Sequence, residues 1–446
     1  MAHTTASAPQ PRTLTPLEHF KTTMSSTLGT ALEFYDFAIY GLAAATVFKT
    51  IFFADSTPAV AFIASLATFA VGYVARPLGG IILGAIGDRV GRKNVMVWTV
   101  VLMGLASTLI GALPTYQQVG LWAPVLLVTL RILQGLGAGA ELASSSTLLV
   151  ESTPAPRRGL IGSLVGIGTN GGTLLASLAW MLVSLLPEEQ LLSWGWRVPF
   201  LASIIIAGVG LWMRRTVKES PAFEVVSEEA RTRSILQTYG YLLKNSTGKM
   251  LACIGMRWAE NGISTVFLVF FVGRIGEYAP DNPGLGSLAV VLSAIVGLGT
   301  VPLFGWISDR FGRRRTYLWL CVLQLVVAFP SIWMIMTGQT SWVVLAFVLG
   351  YSFGVMGMYA VQSAYMVELF GSRSRLAAVT ASKELGALTS GGVAPVLSAM
   401  LIGLTGNEWI VGGYMVLLAI VSIVSTIALP ETAGRDLVAE EDAVRA

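Results

Sequence analysis

Gly84-Ala-Ile-Gly-Asp88-Arg89-Val-Gly91-Arg92-Lys93 returns, 221 residues further along the chain, as Gly305-Trp-Ile-Ser-Asp309-Arg310-Phe-Gly312-Arg313-Arg314. Each copy joins two long apolar runs through a short basic turn. A second pair of landmarks, Glu151 to Arg158 and Glu368 to Arg375, recurs at an offset of 217 residues. Two matched landmarks at nearly equal offsets describe a chain made of two homologous halves, and the runs around them have the length and apolarity of bilayer spans.

Composition points the same way. Of 446 residues, 54% are apolar and 12% charged, with a mean hydropathy of +0.70, whereas a soluble domain carries about 25% charged residues. A spanning helix takes about 20 residues. Apolar runs bounded by charge or by Gly and Pro clusters give twelve of them: 22–53, 60–87, 94–112, 122–151, 158–186, 195–215, 248–276, 286–307, 315–337, 341–369, 375–404 and 407–429. The expected fold is an all-α membrane protein, with pseudo-symmetric six-helix bundles at 22–215 and 248–429. A tail at 1–21, a polar linker at 216–247 and a second tail at 430–446 complete it. Lys and Arg gather in the tails, the linker and every second turn, while the opposite ends hold only Lys49 and Arg274. That asymmetry predicts cytoplasmic termini. The first 20 residues contain Pro9, Pro11 and Pro16 and no apolar run of signal-peptide length, so they read as a tail.

The same inventory excludes several functions. The net charge of +4 is spread over membrane-side turns and is no nucleic-acid surface. Cys253 and Cys321 lie in apolar runs, and His3 and His19 precede the first run, so no disulfide framework, metal site or cofactor is expected. The spans leave no length for an aqueous catalytic module, which argues against an enzyme. The expected partners are the lipid bilayer, a small-molecule substrate and protons, and the expected state is a monomer.

Charge within a span is costly, so each intramembrane ionisable residue is a candidate functional group. Ten fall there: Glu33, Asp36, Arg76, Arg131, Glu141, Arg197, Arg257, Glu260, Lys383 and Glu384. Glu33, Asp36 and Tyr40 are spaced i, i+3, i+7 and share one helix face, which makes both carboxylates candidate proton-coupling groups. At about 1.5 Å per residue, Asp36 and Arg131 lie roughly 21 and 18 Å from the inner surface, at comparable depth. Arg131, Gln134, Ala138, Glu141 and Ser145 form a narrow stripe on the fourth helix, where Glu141 is either a second proton site or a counter-charge near an inner gate. Arg257 and Glu260 sit i, i+3 beside Asn261 on the seventh helix; they either neutralise each other or leave Arg257 as a fork for a substrate carboxylate. Tyr359 and Gln362 add uncharged polar groups on the tenth, and with Tyr40 and Gln134 they are expected to line a substrate site. Gly84, Asp88, Arg89 and Arg92 in one half, and Asp309, Arg310 and Arg313 in the other, carry too many donors for a cavity. They read as an inner gate, with each Asp capping a facing helix and the arginines pairing with Glu151 or Glu368.

The repeated Gly-x-x-x-Asp-Arg-x-Gly-Arg-Arg/Lys element resembles the major facilitator superfamily over nearly the whole chain. Within it, Glu33-Phe-Tyr-Asp36-Phe, Arg76-Pro77-Leu-Gly79, Leu130-Arg131-x-x-Gln134-Gly135, Ser193-Trp194-Gly195-Trp196-Arg197-x-Pro199-Phe200 and Glu219-Ser220-Pro221 resemble the metabolite:proton symporters. One element departs: that family's Gly-Gly-Glu-Trp-Gly-Gly reads here Gly139-Ala140-Glu141-Leu142-Ala143-Ser144. The resemblance implies a bacterial plasma-membrane symporter that imports a small organic acid such as shikimate or a di- or tricarboxylate by alternating access. A carrier of a zwitterionic osmolyte such as proline or betaine, or an exporter, is the alternative. Likeness to proton-coupled sugar porters further implies Asp36 and Arg131 as the protonation pair. Arg257 and Glu260 are similar to the Arg-x-x-Glu of shikimate-type members.

Overall fold

The computed structural model describes the backbone of residues 16–90, 92–139, 142–216, 235–372, 374–439 and 441–444, and every regular element among them is helical. The first half contains α1 (Pro16–Thr46), α2 (Pro58–Val90), α3 (Arg92–Gly111), α4 (Trp122–Ala138, resuming at Leu142–Glu151), α5 (Arg158–Ser184) and α6 (Arg197–Thr216). The second contains α7 (residues 247–278), α8 (Leu285–Phe311), α9 (Arg313–Met336), α10 (Thr340–Leu369), α11 (Arg375–Thr405) and α12 (Trp409–Ala428). Among the described residues, eight helices are long and apolar enough to cross a membrane. α1 stops earlier than its apolar run, and a separate short helix, Phe48–Phe52, follows it. The linker holds a helix of its own, Ile235–Asn245, whose Leu242 is buried.

Burial runs opposite to that of a soluble protein. Leu404 is 81% exposed and Trp212 68%, whereas Arg131, Gln134 and Glu368 are fully buried. Large apolar side chains outside and charge inside match a protein whose solvent is lipid. The halves meet along two seams, α5 against α8 and α2 against α11. Glycine permits the first: a β-carbon on Gly159 would lie 2.5 Å from the Gly305 carbonyl oxygen, and one on Gly305 2.7 Å from that of Gly159.

Three helices of the second half depart from regular α geometry at the level of the interior. α7 widens into π-helical turns at Trp258–Gly262 and Val266–Phe271, α10 at Val348–Val355 and α11 at Leu388–Gly392. A π turn redirects side chains and frees backbone carbonyls, which lipid cannot satisfy. Side chains from neighbouring helices accept the task. Tyr317 Oη donates to the Met256 carbonyl at 2.8 Å and Ser422 Oγ to the Gly255 carbonyl at 3.0 Å, while Gln324 Nε2 donates to the Gly350 carbonyl at 2.7 Å. Replacing Gln324 by Leu should therefore leave a buried carbonyl unpaired and cost about 1–3 kcal/mol. Thermal melting of the purified variant in detergent measures this, and an unchanged midpoint would remove the support role.

Candidate functional site

Between the halves lies a partly open cavity, with about 840 Å³ of empty space counting the part open to solvent. Its charged lining comes from both: Glu33 of α1 and Arg76 of α2 on one side, Arg257 and Glu260 of α7 and Glu384 of α11 on the other. Uncharged polar groups complete the wall, namely Tyr73, Thr169, Thr173, Asn261, Tyr351 and Tyr359. The α7 π turn carries Glu260 and Asn261, so the departure from α geometry falls where the lining is polar.

The charges form two groups. Arg76 Nη2 lies 2.8 Å from Glu33 Oε1, and the same guanidinium forks onto Glu384, with Nε 2.8 Å from Oε2 and Nη2 3.2 Å from Oε1. Arg257 Nη2 lies 3.2 Å from Glu260 Oε2, and its Nη1 donates to the Lys383 carbonyl at 3.2 Å. Lys383 itself turns to Ser146 Oγ on α4, at 2.8 Å. Neighbouring positions on a helix point about 100° apart, and Lys383 and Glu384 serve different partners accordingly. Thr169 Oγ1 of α5 donates to Tyr359 Oη of α10 at 3.0 Å, a neutral bridge between the halves.

Asp36 and Arg131 are not brought together as an ion pair. Asp36 Oδ1 accepts from Ser203 Oγ of α6 at 2.8 Å. Arg131 sits in an aromatic cage, its guanidinium carbon 4.0 Å from the centre of the Tyr40 ring and 4.3 Å from that of Phe37, and it donates to Gln134, which donates to Ser107 at 2.7 Å. Cation–π contact and a hydrogen-bonded amide thus do the work expected of a carboxylate. Three residues expected to line the site, Tyr40, Gln134 and Gln362, are buried in helix packing and are absent from the described wall; Arg257, Glu260, Asn261 and Tyr359 line it. Arg197 caps the end of α3, donating to the carbonyls of Gly111 at 2.9 Å and Leu113 at 2.6 Å. Glu141, and the side chains of Asp88, Arg89 and Arg92 with Gly84, lie outside the described residues.

The second copy of the repeated element is described in full and closes the end of the bundle that carries the C-terminal segment. Asp309 Oδ1 and Oδ2 accept from the backbone N–H groups of Gly159 and Leu160 at 2.7 and 2.8 Å, capping α5 of the opposite half. Arg313 spans Asp309 and Glu368, at 2.7 and 3.2 Å. Glu151 pairs with Arg375 across the halves at 2.5 Å, not with an arginine of the repeat, and Arg310 lies over the Trp306 ring. At the other end α1 and α7 touch, since a β-carbon on Gly273 would stand 2.8 Å from the Ala45 carbonyl oxygen. The cavity is therefore pinched at both ends.

A membrane-embedded helical bundle of two repeated halves, with a charged cavity on the seam and a bridged gate at one end, defines a solute transporter. The chain belongs to the Major Facilitator Superfamily, whose model matches residues 26–382. Among its relatives, the putative transporter YdfJ of Escherichia coli (strain K12) is 38% identical over 92% of this chain and 96% of its own length. The shikimate transporter of the same strain is 35% identical over 86% and 88%, and its proline/betaine transporter 30% over 94% and 84%. In fold it is similar to the proton:xylose symporter XylE, with a TM-score of 0.72 at 18% identity over 95% of this chain and 98% of that one.

Sequence reasoning counted Arg76 and Glu384 among the intramembrane candidates but gave them no role, because their pairing joins positions 308 residues apart. For the gate, Asp309→Asn keeps one acceptor oxygen where two N–H groups need one each, so this end should open more often. Cysteine labelling beside Gly159 should speed up, and an unchanged rate would show that the cap does not hold the end closed.

Proposed function

We propose that the chain is a proton-coupled symporter that imports a small organic acid across a bacterial plasma membrane. All twelve long helices span, both termini are cytoplasmic, and Asp309 with Arg313, Glu368, Glu151 and Arg375 forms the cytoplasmic gate. Asp88, Arg89 and Arg92 provide the corresponding element of the first half. The basic residues of the linker and tails support this orientation.

The observation that carries the substrate class is Arg257. Its guanidinium lines the cavity and its side-chain acid partner is Glu260, on the same helix three residues away. A substrate carboxylate can take the fork, with Asn261, Tyr351 and Tyr359 offering hydrogen bonds to hydroxyls around it. The shikimate transporter among the relatives supports an acid, and XylE among the fold neighbours supports proton coupling. The proline/betaine relative supports the second reading, a zwitterion, which a cavity lined by both cationic and anionic groups also accommodates.

Uptake into proteoliposomes under an imposed pH gradient tests the reading. Arg257→Gln should raise the apparent Km for an anionic substrate about tenfold or more, equivalent to the ~1.5–3 kcal/mol of a charge-assisted hydrogen bond. A neutral analogue without the carboxylate should respond little. Intact affinity for the acid in a folded Arg257→Gln protein would reassign Arg257 to a structural pair with Glu260.

A further inference from the structure

We infer that Glu33 carries the coupling proton, on an acid–guanidinium–acid bridge with Arg76 and Glu384, and that one proton accompanies each substrate carboxylate. The inference deepens the symport reading and rests on it.

The geometry begins with sharing. One nitrogen of Arg76, Nη2, is 2.8 Å from Glu33 and 3.2 Å from Glu384, so two carboxylates compete for one guanidinium. All three residues are at most 5% exposed. Two acids around one cation exceed its charge by one, so one of the two is placed to hold a proton. The division of contacts selects the member. Arg76 meets both oxygens of Glu384 through Nε and Nη2, which ties α2 to α11 across the seam, whereas it reaches Glu33 through Nη2 alone. A proton on Glu33 leaves the link between the halves intact, and a proton on Glu384 breaks it.

Among the described residues, the charges facing the bridge are Arg257 and Glu260 of α7, which pair with each other, and Lys383 of α11, which turns to Ser146. Tyr73 of α2 and Tyr359 of α10 also line the cavity, and Asp36 and Arg131 lie behind the wall in the first half. The lining itself holds two bases, Arg76 and Arg257, against three acids, Glu33, Glu260 and Glu384. A carboxylate arriving at Arg257 adds one further negative charge, and burial penalises a charge left without a partner. One proton taken by the Glu33 carboxylate, forming its O–H bond, offsets that charge. The proton leaves with the substrate when the other end opens.

The deciding experiment needs no substrate. Difference infrared spectra of the protein in proteoliposomes, recorded as pH is lowered, should show the carbonyl stretch of a newly protonated, buried carboxyl group. That band should be lost in Glu33→Gln, persist in Asp36→Asn and Glu141→Gln, and move in frequency in Glu33→Asp. Persistence in Glu33→Gln, or loss in Asp36→Asn or Glu141→Gln instead, overturns the assignment. If Glu33→Gln gives no monodisperse protein, Glu33→Asp decides alone, and an unmoved band overturns it. A second arm uses labelled shikimate as the probe, and its pH-gradient-driven accumulation should be lost in Glu33→Gln. Failure of the wild type to carry shikimate or any other acid would sink the substrate reading while the infrared result still decides the proton site.

Discussion

Charge inside lipid has to be answered by charge, by hydrogen bonds or by aromatic faces, and this constraint orders the whole molecule. Arg131 shows how far the answer departs from simple pairing, since three aromatic rings and an amide surround it where a carboxylate was expected. Arg197 is spent on the free carbonyls at the end of α3. What is left after such structural uses is a small set, Glu33, Arg76, Arg257, Glu260 and Glu384, and these five line the cavity together. Function in this fold is visible as the charge that packing does not consume.

The same constraint explains why the site is built on π turns. A regular α-helix satisfies its own backbone and offers the interior only side chains. Widening α7 at Trp258–Gly262 turns Glu260 and Asn261 toward the cavity, and the carbonyls so freed are met by Tyr317 and Ser422. The support comes from α9 and α12, which do not touch the cavity themselves. Helices remote from the cavity therefore hold its shape, and their polar residues are as necessary to it as the lining.

Much of this was legible in the sequence, and the boundary is physical. The repeated Asp88 and Asp309 elements announced two halves, and the fold follows from hydropathy because lipid leaves a chain few choices. The role of Asp309 as a cap was also legible, since an acid beside a basic turn at a helix end has few other uses. Helix-face arithmetic put Arg257, Glu260 and Asn261 together because one helix carries all three, and all three line the cavity. It failed for Arg76 with Glu384 and for Glu151 with Arg375, whose members come from different halves. It also failed for Tyr40 and Gln134, because depth and facing say nothing about which neighbour fills the intervening space. π turns were illegible for a related reason: they shift the facing of every residue beyond them.

The two halves repeat in sequence yet divide the labour unequally. The first contributes one side of the acid–guanidinium bridge, Glu33 and Arg76, and the second contributes the Arg257 fork with its partner Glu260, and Glu384 to close the bridge. The second half is also the one pinned by the chain's own end. Glu431 caps the start of α9 through the N–H groups of Arg313 and Arg314 at 2.8 and 3.1 Å, and Thr432 Oγ1 donates to Glu368 at 2.8 Å. The segment then reaches Arg158 of the first half, which donates to the Arg435 carbonyl, and Arg375 at the start of α11, which donates to the Leu437 carbonyl. The gate at this end is thus a three-part contact between α5, the α8–α9 turn and the C-terminal segment. Because Arg313 joins Asp309, Ser308 and Glu368 at once, the cap on α5 cannot be released without disturbing the α10 end as well.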